Sequence, residues 1–163
     1  DYEGTLSVKN SNAGLYASGL CGVSKADFAT SNAKIRLHDM SIAELDVQTS
    51  NASVDLQSLK GRHCEVKTSD ARITASDCAY TQLRLHTSNN AIRFWNCVSD
   101  DIEFVTSNGQ VSGGIVGDAR DYAIKSHTSN ASNNMPKDLS YPDQTKKLRI
   151  HTSNAKIDVR FEN

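Results

Sequence analysis

The sequence predicts an all-β fold, a parallel β-solenoid (β-helix or β-roll) of about eight rungs with a 19-residue repeat. Three observations predict it. The step Thr-Ser-Asn, or a close variant, recurs with its serine at Ser11, Ser31, Ser50, Ser69, Ser88, Ser107, Ser129 and Ser153, at spacings of 20, 19, 19, 19, 19, 22 and 24. A fixed period of this size marks a solenoid, in which each repeat is one coil laid on the last. Around the regular copies, apolar residues alternate with polar ones, the period-2 pattern of a half-buried strand. Finally, aromatic residues make up only 6% of the chain, which suits a thin, elongated core better than a thick globular one.

One repeat shows how the elements follow. Ala43, Leu45 and Val47 alternate with Glu44, Asp46 and Gln48; after Thr49-Ser50-Asn51, Ala52, Val54 and Leu56 alternate with Ser53 and Asp55. The parity breaks once, at Ser50-Asn51. Two short strands therefore meet there at a corner, with Thr49 and Ala52 facing inward. The same corner is expected at Thr30-Ser31-Asn32, Thr87-Ser88-Asn89 and Thr152-Ser153-Asn154. Asn suits it on two counts. It tolerates the left-handed conformation, and stacked Asn side chains hydrogen-bond as a ladder. The functional alternative for these residues is an outward Thr/Ser array that binds ice or a crystalline polymer.

The register then predicts columns of stacked residues. A buried third-side column is expected from Cys21, Met40, Leu59, Cys78 and Cys97. Two inward columns precede the corner: Ala26, Leu45, Cys64, Leu83 and Ile102, and Phe28, Val47, Val66, Leu85 and Phe104. One follows it, with Ile35, Val54, Ile73, Ile92 and Val111. At about 4.8 Å per rung, eight rungs make a rod on the order of 35–40 Å long.

Residues 1–163 read as a single domain. The last third departs from the pattern: residues 112–120 swell one coil, and 132–147, which hold both prolines, read as an irregular insertion. Long loops on solenoids are often binding elements, so this insertion is a candidate partner contact as well as a tolerated excursion. The final "KLRIHTSNAKIDV" recovers the repeat.

With strands before and after it, the recurring Thr-Ser-Asn step resembles the bacterial adhesin β-solenoid domains, a family of unknown function. The resemblance runs from Leu6 to Phe161. In that family the residue after Asn is usually Gly. Here Asn108-Gly109 keeps it, whereas Ala13, Ala33, Ala52, Ala71, Asn90, Ala131 and Ala155 stand at the other corners. The resemblance implies a fold and a place at the cell surface. It brings no catalytic residues.

Several clusters invite a chemical reading. Cys21, Cys64, Cys78 and Cys97 sit at inward positions and are expected to be free thiols that fill the core, with a Cys78–Cys97 disulfide as the alternative. His127 and His151 are expected on adjacent rungs, pointing outward, and His86 two rungs from His127 with Val105 between. This column lacks the third ligand a metal ion would need. Asp27, Asp46 and Glu65 form an acidic column continued by Arg84, Glu103, Lys125 and Arg149. Its repulsion must be offset, by Lys25 and Lys67 or by a cation such as calcium. Asp100 and Asp101 are the acidic pair of a hydrolase or lyase reading, without a basic constellation to complete it. Trp95, the one aromatic suited to a sugar, is expected to shield a corner.

No catalytic residue, cofactor or metal is therefore expected. A formal charge of −1 gives no basic field for nucleic acid. No apolar run approaches the ~18 residues that span a bilayer, so this domain itself should make no membrane contact. The opening "DYEGTLSVKN" already reads as strand, as in an excised part of a longer protein. The sequence thus points to a non-enzymatic, extracellular or envelope-associated interaction domain with an unidentified surface ligand or protein partner. A self-associating module that forms homo-oligomers through its ends is the alternative. An ice-binding protein or a polysaccharide-active enzyme is less favoured, and reduced cysteines leave the cytoplasm as the other compartment.

Overall fold

A computed structural model describes residues 3–162. The strands, in chain order, are β1 (Thr5–Lys9), β2 (Leu15–Ser18), β3 (Cys21–Ala29), β4 (Ile35–Gln48), β5 (Val54–Lys67), β6 (Ile73–Ser76) and β7 (Ala79–His86). They continue with β8 (Ile92–Cys97), β9 (Asp101–Val105), β10 (Val111–Val116), β11 (Tyr122–His127), β12 (Asp138–Leu139), β13 (Lys146–His151) and β14 (Ile157–Glu162). The chain is 61% strand and has no α-helix among the described residues; its parallel strands stack into a β-solenoid with a spacing of about 19 residues.

Each turn has three sides. The first is the strand before the corner, the second the strand after it, and the third the stretch that joins them through positions such as Met40 and Leu59. β4 and β5 are 14 residues long because they run without a break from the second side, round the third, to the next first side. The inward columns form as the register predicts: Leu45 pairs with Cys64, Cys64 with Leu83, and Leu83 with Ile102, all fully buried. Met40 and Leu59 are in register and buried on the third side, and Cys78 and Cys97 are buried after them. Cys21 departs from this column. The first repeat has one residue more, and the pairing shifts between Cys21 and Val23. Cys21 therefore lies opposite Ser41 and is exposed, while Leu20 packs against the core.

The corners show why one tripeptide is repeated. The carbonyl of Ser31 accepts the backbone N–H of both Ser50 and Asn51 in the next coil, and also the Thr49 hydroxyl. Ser88 does the same for Ser107, Asn108 and Thr106. Thr30, Thr49, Thr68, Thr87, Thr106 and Thr152 are buried, which leaves their side chains unavailable as an outward array. Outside them runs the Asn ladder: Asn32 donates to Asn12 at 2.9 Å, Asn51 to Asn32 at 2.7 Å and Asn108 to Asn89 at 2.8 Å. None of these asparagines has a positive φ. The left-handed residues form a different column, one corner later: Asp39, Ser58, Asp77 and Asn96, with φ of 52–54°. Short polar side chains tolerate that conformation best among non-glycine residues, and Asn96 bonds Asp77 at 2.6 Å.

The order of the levels differs from the order of the sequence. After Val105 the chain skips a level. β11 does not pair with β9; instead β13 lies between them and pairs in parallel with both. The ladder accordingly runs Asn108, Asn154, Asn130. Eight corner levels are present, but the coil closes only about six times, fewer than the eight rungs expected. The last level is wedged between its predecessors. Residues 132–147 are what return the chain to that slot. On the way, β12 pairs antiparallel with β11, Met135 and Leu139 pack on the core, and the Ser126 hydroxyl donates to the Pro136 carbonyl at 2.7 Å. The segment therefore caps the C-terminal edge, where an open strand would invite pairing with another chain.

Two outcomes follow. Leu83→Ala should destabilise the protein by about 2–5 kcal/mol through loss of buried volume, whereas Asn89→Ala on the exposed ladder should cost about 1 kcal/mol; chemical denaturation midpoints compare them. Truncation after Gln144 should leave β9 and β11 one level apart with two bare edges. Oligomers in sedimentation velocity and lost amide protection in β11 are expected.

Candidate functional site

The rod has two regular outer faces. On the first, before the corner, the acidic column is neutralised from within. Lys25 lies 3.7 Å from Asp27 and 3.4 Å from Asp46, and Lys67 lies 2.9 Å from Glu65. These lysines supply the offset that the column requires. The Lys67 hydrogen bond holds the Glu65 carboxyl below its ordinary range, and Asp27, then Asp46, raises the Lys25 ammonium. Farther along, Arg84 meets Glu103 at 3.6 Å and Arg149 meets Asp101 at 2.9 Å. Lys146 lies 3.9 Å from Asp100, so both members of the Asp100–Asp101 pair are engaged by cations. Asp46, His63 and Glu65 bring donor atoms within 4.8 Å of one another, and a ring nitrogen of His63 bonds Gln82 at 3.0 Å. They are the residues that come nearest to a metal-ligand set among the described ones, but both carboxylates are already held by lysines.

The histidine column is reordered by the wedged coil. His127 and His151 do stack on adjacent levels, with ring centroids 5.6 Å apart and planes 14° from parallel. His151, not His127, follows Val105, which places His86 three levels from His127 rather than two. Burial lowers the pKa of His86. Among the described residues no third ligand joins the stacked pair.

All four cysteines are free. The Cys78 thiol donates to the Ser76 carbonyl at 3.3 Å and that of Cys97 to Trp95 at 3.5 Å, so each has a local partner and no disulfide joins them. Burial pushes the Cys64 thiol up, and the Cys97 hydrogen bond together with burial does so for Cys78.

The second outer face is different in kind. Two columns cross it: Asp55, Thr74, Arg93, Ser112 and Asp158, and beside them Gln57, Ser76 and Trp95, then Gly114 and Arg160. Asp55 is held by Lys34 and Arg36, and Asp158 by Lys156 at 2.7 Å. Arg72, Arg93 and Arg160 are exposed and take part in no ion pair among the described residues. Trp95 does not shield a corner. Strand parity turns it outward in β8, where it is 48% exposed.

Next to Trp95 the surface sinks. At Gly113 φ is +153° and a Cβ would meet the Phe94 carbonyl oxygen at 1.7 Å; at Gly114 it would meet the Glu162 carboxylate at 2.2 Å. The two glycines sit at a bulge in β10, with the Glu162 carboxylate lying over Gly114. The result is an open depression of about 400 Å³ lined by Arg93, Trp95, Ser112, Asp158, Arg160 and Glu162. The sequence marks it only by the longer 22-residue spacing and the "SGG" step after Val111. The placement of Arg160 two levels from Trp95 is hidden, because it depends on the wedged coil.

A thiol reagent should modify Cys21 alone in the native protein and all four cysteines after denaturation without reductant. Mass spectrometry of the alkylated chain reads both numbers.

Against protein-family models, curated proteins and solved structures, the chain matches none.

Proposed function

We propose that this chain is a non-enzymatic interaction domain, an adhesin-type rod exposed on a cell surface or envelope, whose second outer face meets the ligand. The observation that supports it is the contrast between the faces. The first largely neutralises its own charges, rung by rung. The second leaves three arginines with no ion-pair partner among the described residues and an exposed indole beside the depression at Gly113 and Gly114. Unpaired guanidiniums offer planar, two-toothed hydrogen bonding to an incoming anion. An exposed aromatic plane adds area at little cost in conformational freedom. The depression is shallow and open, as suits a ligand held across a surface rather than a small substrate enclosed for chemistry.

A non-catalytic role is also favoured by what surrounds the carboxylates. A general acid or base needs a pKa tuned toward the working pH, usually by burial or a like charge. Glu65 is instead held low by its hydrogen bond to Lys67. Stabilised carboxylates of this kind are poor proton donors near neutrality.

The test is a binding screen run beside a turnover assay. Immobilised protein, offered an array of glycans and purified matrix proteins, should bind at least one of them saturably. Replacing Arg93 and Trp95 together with alanine should reduce that binding tenfold or more, with unchanged circular dichroism. No new reducing ends should accumulate from any polysaccharide. Turnover that is lost on Asp100→Asn or Asp101→Asn would establish an enzyme instead.

A further inference from the structure

We infer that the second outer face binds an acidic, uronate-bearing polysaccharide laid obliquely across the levels, with Trp95 as the stacking platform and Arg72, Arg93 and Arg160 as the carboxylate contacts. This rests on the interaction-domain reading above and names its ligand class.

Spacing selects a polymer. Arg72 belongs to the fourth corner level, Arg93 to the fifth and Arg160 to the seventh, each one column farther along the strand, so they form a diagonal that at about 4.8 Å per level covers roughly 15 Å along the axis. A small anion satisfies one of them. A chain with a carboxylate on successive residues meets all three. The planar fork of an arginine also matches a carboxylate better than an ammonium does.

The apolar component selects a sugar. Trp95 lies between the arginines, its indole half exposed and standing over the depression. A pyranose ring has one face of C–H groups that can lie on such a plane, and its rim of hydroxyls needs polar partners. Ser112, Asp158 and Glu162 line the depression and supply them. Gly113 and Gly114 add no side chain of their own to the depression beside the indole. The Glu162 carboxylate, folded over Gly114, fixes the orientation: it accepts from hydroxyls and repels a uronate, which turns the carboxylate of the sugar toward Arg93 or Arg160. A single-stranded nucleic acid fits less well. Its successive bases call for successive aromatic platforms, whereas Trp95 is the one indole of the chain and a net charge of −1 gives no long-range attraction to a phosphate backbone.

That single tryptophan makes the test direct, since its fluorescence reports on this site alone. The intact chain is titrated with oligogalacturonates of increasing length, with their methyl esters, with neutral cello-oligosaccharides and with oligo(dT). The expected result is a saturable change in Trp95 emission with the acid form, and at least tenfold weaker binding of the methyl ester. Affinity should rise with length until the oligomer spans the arginines, and fall with added salt. Arg93→Gln and Arg160→Gln should each weaken binding about tenfold with the fold unchanged. Glu162→Gln should tighten it. Equal binding of the ester or the neutral sugar would overturn the acidic class and leave the interaction-domain reading standing. No emission change with any oligosaccharide would overturn the site. Tighter binding of oligo(dT) than of the oligogalacturonate would replace the ligand class with a nucleic acid.

Discussion

Every coil of this protein has to lay its backbone one strand spacing above the coil before it, in register, at every corner. That constraint is enforced most visibly at the corner serines. The carbonyl of Ser31 or Ser88 collects two backbone N–H groups and a threonine hydroxyl from the next level. A buried backbone group left without a partner is costly, and the turn has no neighbouring strand of its own to supply one. Threonine fits because its methyl faces the core while its hydroxyl reaches back one level. Serine is small enough to pass beneath its copy. Asparagine is both donor and acceptor, so a column of them is self-complementary. The inward aliphatic columns follow from the same requirement, because a residue stacked on its own kind keeps the cross-section constant.

This is why so much of the fold was legible. A constraint repeated at each level writes itself into the sequence at a fixed interval, and the four inward columns could be counted off from one corner. Three things escaped. The left-handed column at Asp39, Ser58, Asp77 and Asn96 is repeated just as faithfully, but its identities vary because several short polar residues tolerate that conformation. Cys21 was misplaced because one additional residue in the first repeat is taken up by a bulge, and a register count has no means of placing a bulge. The level order near the C-terminus was hidden for a deeper reason. Each level presents the same edge, so a coil that pairs with β9 is equally able to pair with β11, and periodicity cannot say which neighbour a coil takes.

The wedged coil also explains the two prolines and the lost alternation between 132 and 147. The segment must leave the end of the rod, return past one level and re-enter, so it cannot be a coil itself. It is held meanwhile by a side-chain network: Asn134 bonds the Val159 carbonyl at 2.9 Å and Val159 returns a bond to Asn134 at 3.0 Å. An open parallel edge is an adhesive surface, and this one is covered by part of its own chain. The two ends of the rod are thus unequal, one finished by β12 and the other beginning with β1. Through the covered end, stacking of one rod on another is disfavoured.

On the sides, the repeat has little authority. An outward residue contacts its neighbours above and below but has no core volume to fill, so its identity is free to serve something else. On the first face it serves the rod, as Lys25, Lys67, Arg84 and Arg149 each offset nearby carboxylates. On the second face Arg72, Arg93 and Arg160 form no ion pair among the described residues, and a break in strand regularity, the bulge at Gly113, falls beside the exposed indole. Places where local rules are broken without benefit to the fold are where function is usually found. Gly113 serves the stacking itself, since a Cβ there would strike the Phe94 carbonyl oxygen at 1.7 Å; the half-exposed tryptophan beside it, with the exposed guanidiniums, forms a patch that stacking does not require. It makes sense as a shaped contact for a ligand that is flat, hydroxylated and negatively charged.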